Sequence, residues 1–187
     1  MGQFIIISAP SGTGKNAIIR DLLKIFSSST RFITTSTRDP RPMERNGVDY
    51  HFVSLDQFES MRQKNEFLEC NNYAGNWYGS ERKRLEEGLA RYEYVFSTLD
   101  VNGKRSLDVL NFPHTAIFLL PDNLEILDDR IRNRGGEAEN DIEKRISIAH
   151  DEIAEAKNYD FQVVNKEGKM AETVDQIVAY LQKYPNH

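Results

Sequence analysis

A lysine directly after a glycine-rich turn is the strongest chemical signal in this chain. Residues 8–16 read Ser-Ala-Pro-Ser-Gly-Thr-Gly-Lys-Asn. Gly12 and Gly14 let the backbone curl so that several N–H groups and a helix N-terminus converge on phosphate oxygens. Lys15 adds a mobile cation for the outer phosphates, and Ala9, Pro10, Ser11 and Thr13 complete the loop. Two positions depart from the strict pattern G-x-x-x-x-G-K-[ST]. Ala9 stands at the first glycine, and Asn16 stands where a hydroxyl would touch Mg²⁺. Asn16 is thus the one loop side chain offered to a metal, and such a Mg²⁺ is held mainly by phosphates and water.

The elements that must carry this loop are readable on both sides of it. Phe4 to Ser8 is an apolar, β-branched run, the mark of a strand buried on both faces. After Lys15, apolar residues at 18, 19, 22, 23 and 26 follow helical spacing. Further buried strands are expected at 94–99, 115–120 and 161–164, separated by helices near 80–91, 104–110, 122–133, 138–158 and 171–184. This alternation predicts an α/β fold with a parallel sheet flanked by helices. Between Phe32 and Tyr78 the pattern breaks into short alternating pieces with turns such as Arg38-Asp-Pro-Arg-Pro42, which reads as an insertion. The stretch 125–145 is densely charged around Gly135-Gly136, the composition of a helical flap with a glycine hinge. Ser27-Ser28-Ser29-Thr30 reads as a polar loop.

Length and composition bound the rest. A chain of 187 residues holds one domain with excursions and leaves no room for a second enzyme domain. The net charge of −5 excludes a protein whose task is coating nucleic acid or anionic membrane. The ten Phe, eight Tyr and one Trp supply area for a core. Cys70, the single cysteine, forms no internal disulfide and fits a reducing compartment. The N-terminal apolar run is too short for a signal or a membrane span, and Ile6 defeats a myristoylation motif at Gly2. The expected location is the cytoplasm.

The segment 34–50, T-T-S-T-R-D-P-R-P-M-E-R-N-G-V-D-Y, with F-L-E at 67–69 and G-N-W-Y-G-S at 75–80, resembles the nucleotide-monophosphate site of guanylate kinases. The resemblance runs from Phe4 to about Asn165. It implies transfer of the γ-phosphoryl group of ATP to GMP, and dGMP as well, with Mg²⁺ and with ATP and GMP as the small-molecule partners. It also implies a P-loop core (1–31, 89–124 and 146–187), a GMP-binding arm (about 32–88) and a lid (about 125–145), in a monomer or homodimer. Arg38 and Arg41, with the hydroxyls of Tyr50 and Tyr78, should hold the GMP phosphate; guanidinium forks and phenols suit a dianion. Glu69 should accept from guanine N1–H and the exocyclic amine, Ser80 and Thr34 should contact O6 and N7, and Asp100 should complete recognition of the amine. Arg130, Arg134 and Arg145 resemble the arginines that close over the transferring phosphates, and Asn165 the residue near adenine.

Taken singly, each of these has an ordinary rival. A proline-flanked arginine can be a solvated turn, Tyr50 and Tyr78 can be core aromatics, Glu69 can be the exposed position of a short strand, and Asp100 can end a strand. Two departures weaken the metal side: Asn16 lacks the loop hydroxyl, and Thr98 replaces the first acid of the family's D-x-D in Ser97-Thr98-Leu99-Asp100. Two other readings follow. One is a non-catalytic guanylate-kinase-like interaction module; the other is a kinase of the same fold acting on a different small phosphate ester.

Overall fold

Successive residues of Phe4–Ile7 point into two different apolar layers, as a strand sandwiched between helices requires. The computed structural model describes residues 2–125, 127, 132 and 139–185. In chain order its elements are β1 (Gln3–Ser8), α1 (Lys15–Ile25), β2 (Ser29–Arg31), β3 (Thr35–Ser36), β4 (His51–Phe52), α2 (Leu55–Gln63), β5 (Phe67–Tyr73), β6 (Asn76–Glu81) and α3 (Arg82–Arg91). There follow β7 (Tyr94–Ser97), α4 (Val101–Val109), β8 (Thr115–Pro121), α5 (Glu139–Ala154), a 3₁₀ turn (Glu155–Asn158), β9 (Phe161–Asn165) and α6 (Met170–Lys183).

The main sheet is parallel, with strand order β2-β7-β1-β8-β9. Ile5 and Ile7 face Ile18, Ile19 and Leu22 of α1 and Val174, Ile177 and Leu181 of α6. Phe4 and Ile6 face the other way, onto Leu85 and Leu89 of α3 and Leu107 of α4. Burying each such side chain is worth about 1.5–3 kcal/mol, which fixes β1 at the centre and its C-terminal end at the mouth of the phosphate loop.

The insertion is a second sheet of order β4-β3-β6-β5. β5 and β6 are antiparallel and joined by Ala74 and Gly75, both at positive φ (49° and 82°), the conformation that two-residue hairpins need. Behind the sheet, Phe58 of α2 stacks on Phe67 with ring centroids 4.5 Å apart. Helix α2 opens with a capping box between Ser54 and Gln57. Helix α3, whose first residues fall within the arm as bounded above, packs Leu85 and Leu89 on the main sheet.

Several expectations need correction. Ser29 and Thr30 are not loop but the start of β2, an edge strand paired with Tyr94–Phe96. Three half-buried residues without an apolar run give no strand signal. The helix expected from residue 80 begins at 82, because Ser80 and Glu81 still belong to β6. The helix expected from 104 begins at 101, started by the Asp100 side chain, which accepts from Gly103 N at 2.7 Å. The strand at 94–99 ends at 97, and the helix of 138–158 is α5 followed by the 3₁₀ turn.

Candidate active site

Residues 9–14 join β1 to α1 as a loop whose shape is set from within and behind. Gly12 and Gly14 have φ of 92° and 93°, a region closed to most side chains. The Thr13 hydroxyl donates to Pro10 O at 2.9 Å. From the end of β9, the Asn165 amide donates to Thr13 O at 2.8 Å, while its own oxygen accepts from the Thr173 hydroxyl at 3.0 Å. A side chain at Gly14 would press on Asn165 Nδ2 at 3.3 Å. The Lys15 ammonium sits on the carbonyls of Ala9 and Pro10, at 2.5 and 3.1 Å. No acid occupies the first turn of α1, so the positive end of its dipole faces the loop unopposed.

In front of the loop is a cavity of about 420 Å³. Loop residues Ala9, Ser11, Gly12, Gly14, Lys15 and Asn16 form one wall. The small sheet and its turns supply Thr34, Arg38, Arg41, Tyr50, Glu69 and Tyr78, and β7 and α4 supply Thr98 and Asp100. The residues singled out from the sequence therefore meet in one space. Pro10, Thr13 and Asn165 brace the loop from behind and Ser80 bonds to Glu69, and none of the four lines the cavity. Arg130 and Arg134 lie outside the described residues, as do the side chain of Arg145, the Gly135-Gly136 hinge and most of the expected lid.

Arg38 is braced on three sides. Its guanidinium donates to both Glu44 oxygens at 3.0 and 2.8 Å and to Asp39 O at 2.7 Å, and it lies 5.3 Å above the Tyr50 ring. Glu44 also accepts from Arg41 N at 2.9 Å and pairs with the Arg41 guanidinium at 3.7 Å. Tyr50 and Tyr78 meet edge to face at 5.9 Å. Burial pushes the Tyr50 phenol up, so it stays a hydrogen-bond donor.

Glu69 is 7% exposed, which removes the reading of an exposed strand position. Its Oε1 accepts from the Ser80 hydroxyl at 2.5 Å, and its Oε2 accepts from Asn71 Nδ2 at 2.8 Å. Each oxygen keeps a lone pair for a ligand. Burial, helped by the nearby Asp100 carboxylate, pushes the Glu69 carboxyl up to about 7 against the opposing pull of Ser80 and Asn71. Burial raises Asp100 as well, with hydrogen bonds from Gly103 N and Asn102 N working the other way.

Besides Ala17 and Tyr73, four residues lining this cavity carry no expectation from the sequence: Glu44, Asn71, Gly103 and Glu152. Asn71 was accessible in principle, since it lies two residues from Glu69 on one strand and so shares its face. Gly103 faces Glu69 because Asp100 caps the helix that carries it, and a Cβ there would lie 3.4 Å from Glu69 Oε2. Glu152 is 4% exposed, on a helix of mixed charge, with its carboxyl raised by burial against the Lys15 field and its Oε2 without a hydrogen-bond partner. Nothing in its local sequence marks it. Among the described residues no helix is long and apolar enough to cross a membrane.

Comparison with known proteins agrees with this geometry. Residues 1–184 match the family profile described as guanylate kinase. A guanylate kinase of Nitrosomonas europaea is 38% identical over 167 residues, 89% of this chain and 83% of the relative. One from Rickettsia bellii is 36% identical over 176 residues, 94% of this chain and 91% of the relative. The crystal structure of guanylate kinase from Anaplasma phagocytophilum superposes with a TM-score of 0.79 at 25% identity, covering 98% of this chain and 86% of that one.

Proposed function

As a member of the guanylate kinase family, the chain transfers the γ-phosphoryl group of ATP to GMP, and we propose that the cavity between phosphate loop and small sheet is where both nucleotides meet. The observation that carries this reading is the joint presence of Lys15, Arg38, Tyr50, Glu69 and Tyr78 on its walls. The loop amides and Lys15 hold the β- and γ-phosphates, while Arg38 and Arg41, with Tyr50 and Tyr78, hold the phosphate of GMP or dGMP. Glu69 accepts from guanine N1–H and the amine, with Thr34, Ser80 and Asp100 completing the base pocket. Asn165 reaches adenine from the edge of the loop it braces. The arm spans about 32–88 and the lid about 125–145, with Arg130, Arg134 and Arg145 closing over the phosphates.

A phosphate oxygen of GMP attacks the γ-phosphorus, the bond to the ADP oxygen breaks, and no proton need be removed because the acceptor's second pKa lies near 6. The protein's part is to align the two ends and oppose their charge in a site closed to water. Mg²⁺ neutralises the phosphate oxygens when bound. The residues fit it through carboxylates rather than through the loop, since the Asn16 amide oxygen accepts from Arg31 at 3.2 Å while Glu152 Oε2 is buried without a partner. The enzyme acts in the cytoplasm, as a monomer or homodimer.

The interaction-module reading is not favoured, because Lys15, Arg38, Arg41 and Glu69 are all retained on one cavity. ADP release measured with GMP, dGMP, AMP, UMP and ribose phosphates tests the assignment of substrates. GMP-dependent turnover that disappears in Lys15→Met is the expected result. GMP bound but never turned over at any Mg²⁺ concentration would return the module, and preference for ribose phosphates would return the other kinase.

A further inference from the structure

Glu152 is a carboxylate for which neither nucleotide supplies a hydrogen-bond donor in the phosphate-transfer scheme. It projects from α5 onto the cavity shared by Lys15, Asn16, Thr98 and Asp100. A carboxyl group 4% exposed is costly to ionise unless something opposes its charge. Buried carboxylates are normally hydrogen-bonded, yet Glu152 Oε2 has no partner at all. The Lys15 ammonium, whose field acts on it, also donates to the carbonyls of Ala9 and Pro10. The two positions from which a metal contact was expected do not supply a charge. Thr98 is neutral, and Asn16 turns its oxygen to Arg31.

We propose that Glu152 is this protein's carboxylate for the Mg²⁺ of bound Mg·ATP, acting on the ion's water shell from the cavity that it shares with Thr98. The proposal rests on the ATP and Mg²⁺ reading above and adds the residue that serves it. Mg²⁺ keeps several waters and takes one or two carboxylates besides the substrate phosphates, so one buried acid is a sufficient protein contribution. An oriented carboxylate that accepts from metal-bound waters also accounts for an oxygen unpartnered within the protein. It makes the replacement of the strand-end acid by Thr98 tolerable, because the charge enters from α5 instead of β7.

The test is calorimetric binding of the non-hydrolysable ATP analogue AMP-PNP to the whole protein, in EDTA and in Mg²⁺, which reads the metal's contribution without turnover. Wild type should bind more tightly with Mg²⁺. Glu152→Gln should lose about tenfold or more of that enhancement, the usual cost of removing an outer partner of a metal, while its affinity in EDTA does not fall and rises as far as the carboxylate repels the phosphates. Glu152→Asp, which keeps the charge on a shorter arm, should retain an intermediate enhancement. Thermal unfolding of the metal-free variants should match wild type or lie above it, since Gln fills the same space without a buried charge. An enhancement unchanged in Glu152→Gln would overturn the proposal. So would equal weakening in EDTA and Mg²⁺, which would make Glu152 a counter-charge to Lys15, and so would Gln and Asp variants that behave alike. A wild type whose AMP-PNP affinity ignores Mg²⁺ would instead bring down the metal reading itself, and this proposal with it.

Discussion

Replacing Glu69 with glutamine keeps the side chain's shape and inverts part of its hydrogen-bonding, and the surroundings dictate which part. The amide nitrogen cannot take the place of Oε2, because Asn71 Nδ2 donates there at 2.8 Å and two donors would face each other. It must take the place of Oε1, where the Ser80 hydroxyl, now at 2.5 Å as donor, can rotate and accept. Guanine then meets one neutral acceptor and one donor where it had two charged acceptors. Losing a charge-assisted hydrogen bond costs about 1.5–3 kcal/mol, and weakening the second from charged to neutral costs about 1 kcal/mol more. The sum of about 2.5–4 kcal/mol corresponds to a loss of about 60- to 700-fold in kcat/KM for GMP. The assay is steady-state ADP release with GMP and AMP as acceptors, at fixed ATP. Discrimination should narrow from the GMP side, with the KM for ATP unmoved. The pH dependence gives an independent arm. With its carboxyl pushed up to about 7, Glu69 in the free enzyme is protonated below that pH and loses the acceptors guanine needs. kcat/KM for GMP should therefore fall as pH drops below about 7, and Glu69→Gln should lack this limb and keep only the one near 6 at which the GMP phosphate itself takes up a proton. A drop of less than about tenfold in the variant, or an equal drop with AMP, would refute the assignment of Glu69 to the base.

Three further outcomes follow from distances in and beside the cavity. Arg38→Lys removes a guanidinium that holds Glu44 through Nη2 and Asp39 O through Nη1 and lies over Tyr50; one lost charge-assisted bond predicts about a 10- to 100-fold fall in kcat/KM for GMP, with AMP-PNP affinity unchanged by calorimetry. Gly103→Ala should change the melting temperature by less than about 2–4 °C, since the gain of about 1 kcal/mol from replacing a helical glycine is offset by a Cβ pressed to 3.3 Å from Leu99 Cβ. It should also raise the KM for GMP, because its Cβ would stand 3.4 Å from Glu69 Oε2 and 3.5 Å from Asp100 Oδ1. Gly79→Ala should lower the melting temperature, since its Cβ would come within 2.7 Å of the Phe67 ring; overpacking of this kind costs about 1–3 kcal/mol, seen by calorimetric unfolding.

How much of this was legible in the sequence depended on whether the signal was local. The unit β1, loop and α1 could be read directly, because an apolar β-branched run, two glycines and a helical period follow one another without interruption. The edge strand β2 could not, since its only structural reason is pairing with β7, 65 residues away for Ser29 and Tyr94. The guanine pocket was legible only through joint spacing and resemblance. Glu69 by itself is one acid after two apolar residues, and its burial comes from β6 and α4 closing over it. Asp100 shows how a local reading can be incomplete. It lines the cavity, as expected, and its side chain also starts α4, so one carboxylate serves the fold and the site together.

The acids of the cavity explain how a chain of net charge −5 can gather polyanions. Its described walls carry three cations, Lys15, Arg38 and Arg41, against four acids, Glu44, Glu69, Asp100 and Glu152. A site for phosphates built this way works only if each acid is answered by something other than a phosphate. Glu44 is answered by the two arginines it orients, Asp100 by the backbone at the start of α4, and Glu69 by Ser80, Asn71 and, in the complex, the guanine edge. Glu152 Oε2, by contrast, is buried and answered by none of the described residues. Phosphates entering beside it would raise its cost further through like-charge repulsion, unless a divalent cation came with them. The cavity therefore favours a nucleotide that brings its own metal over one that does not, and it does so through α5 rather than through the loop that holds the phosphates.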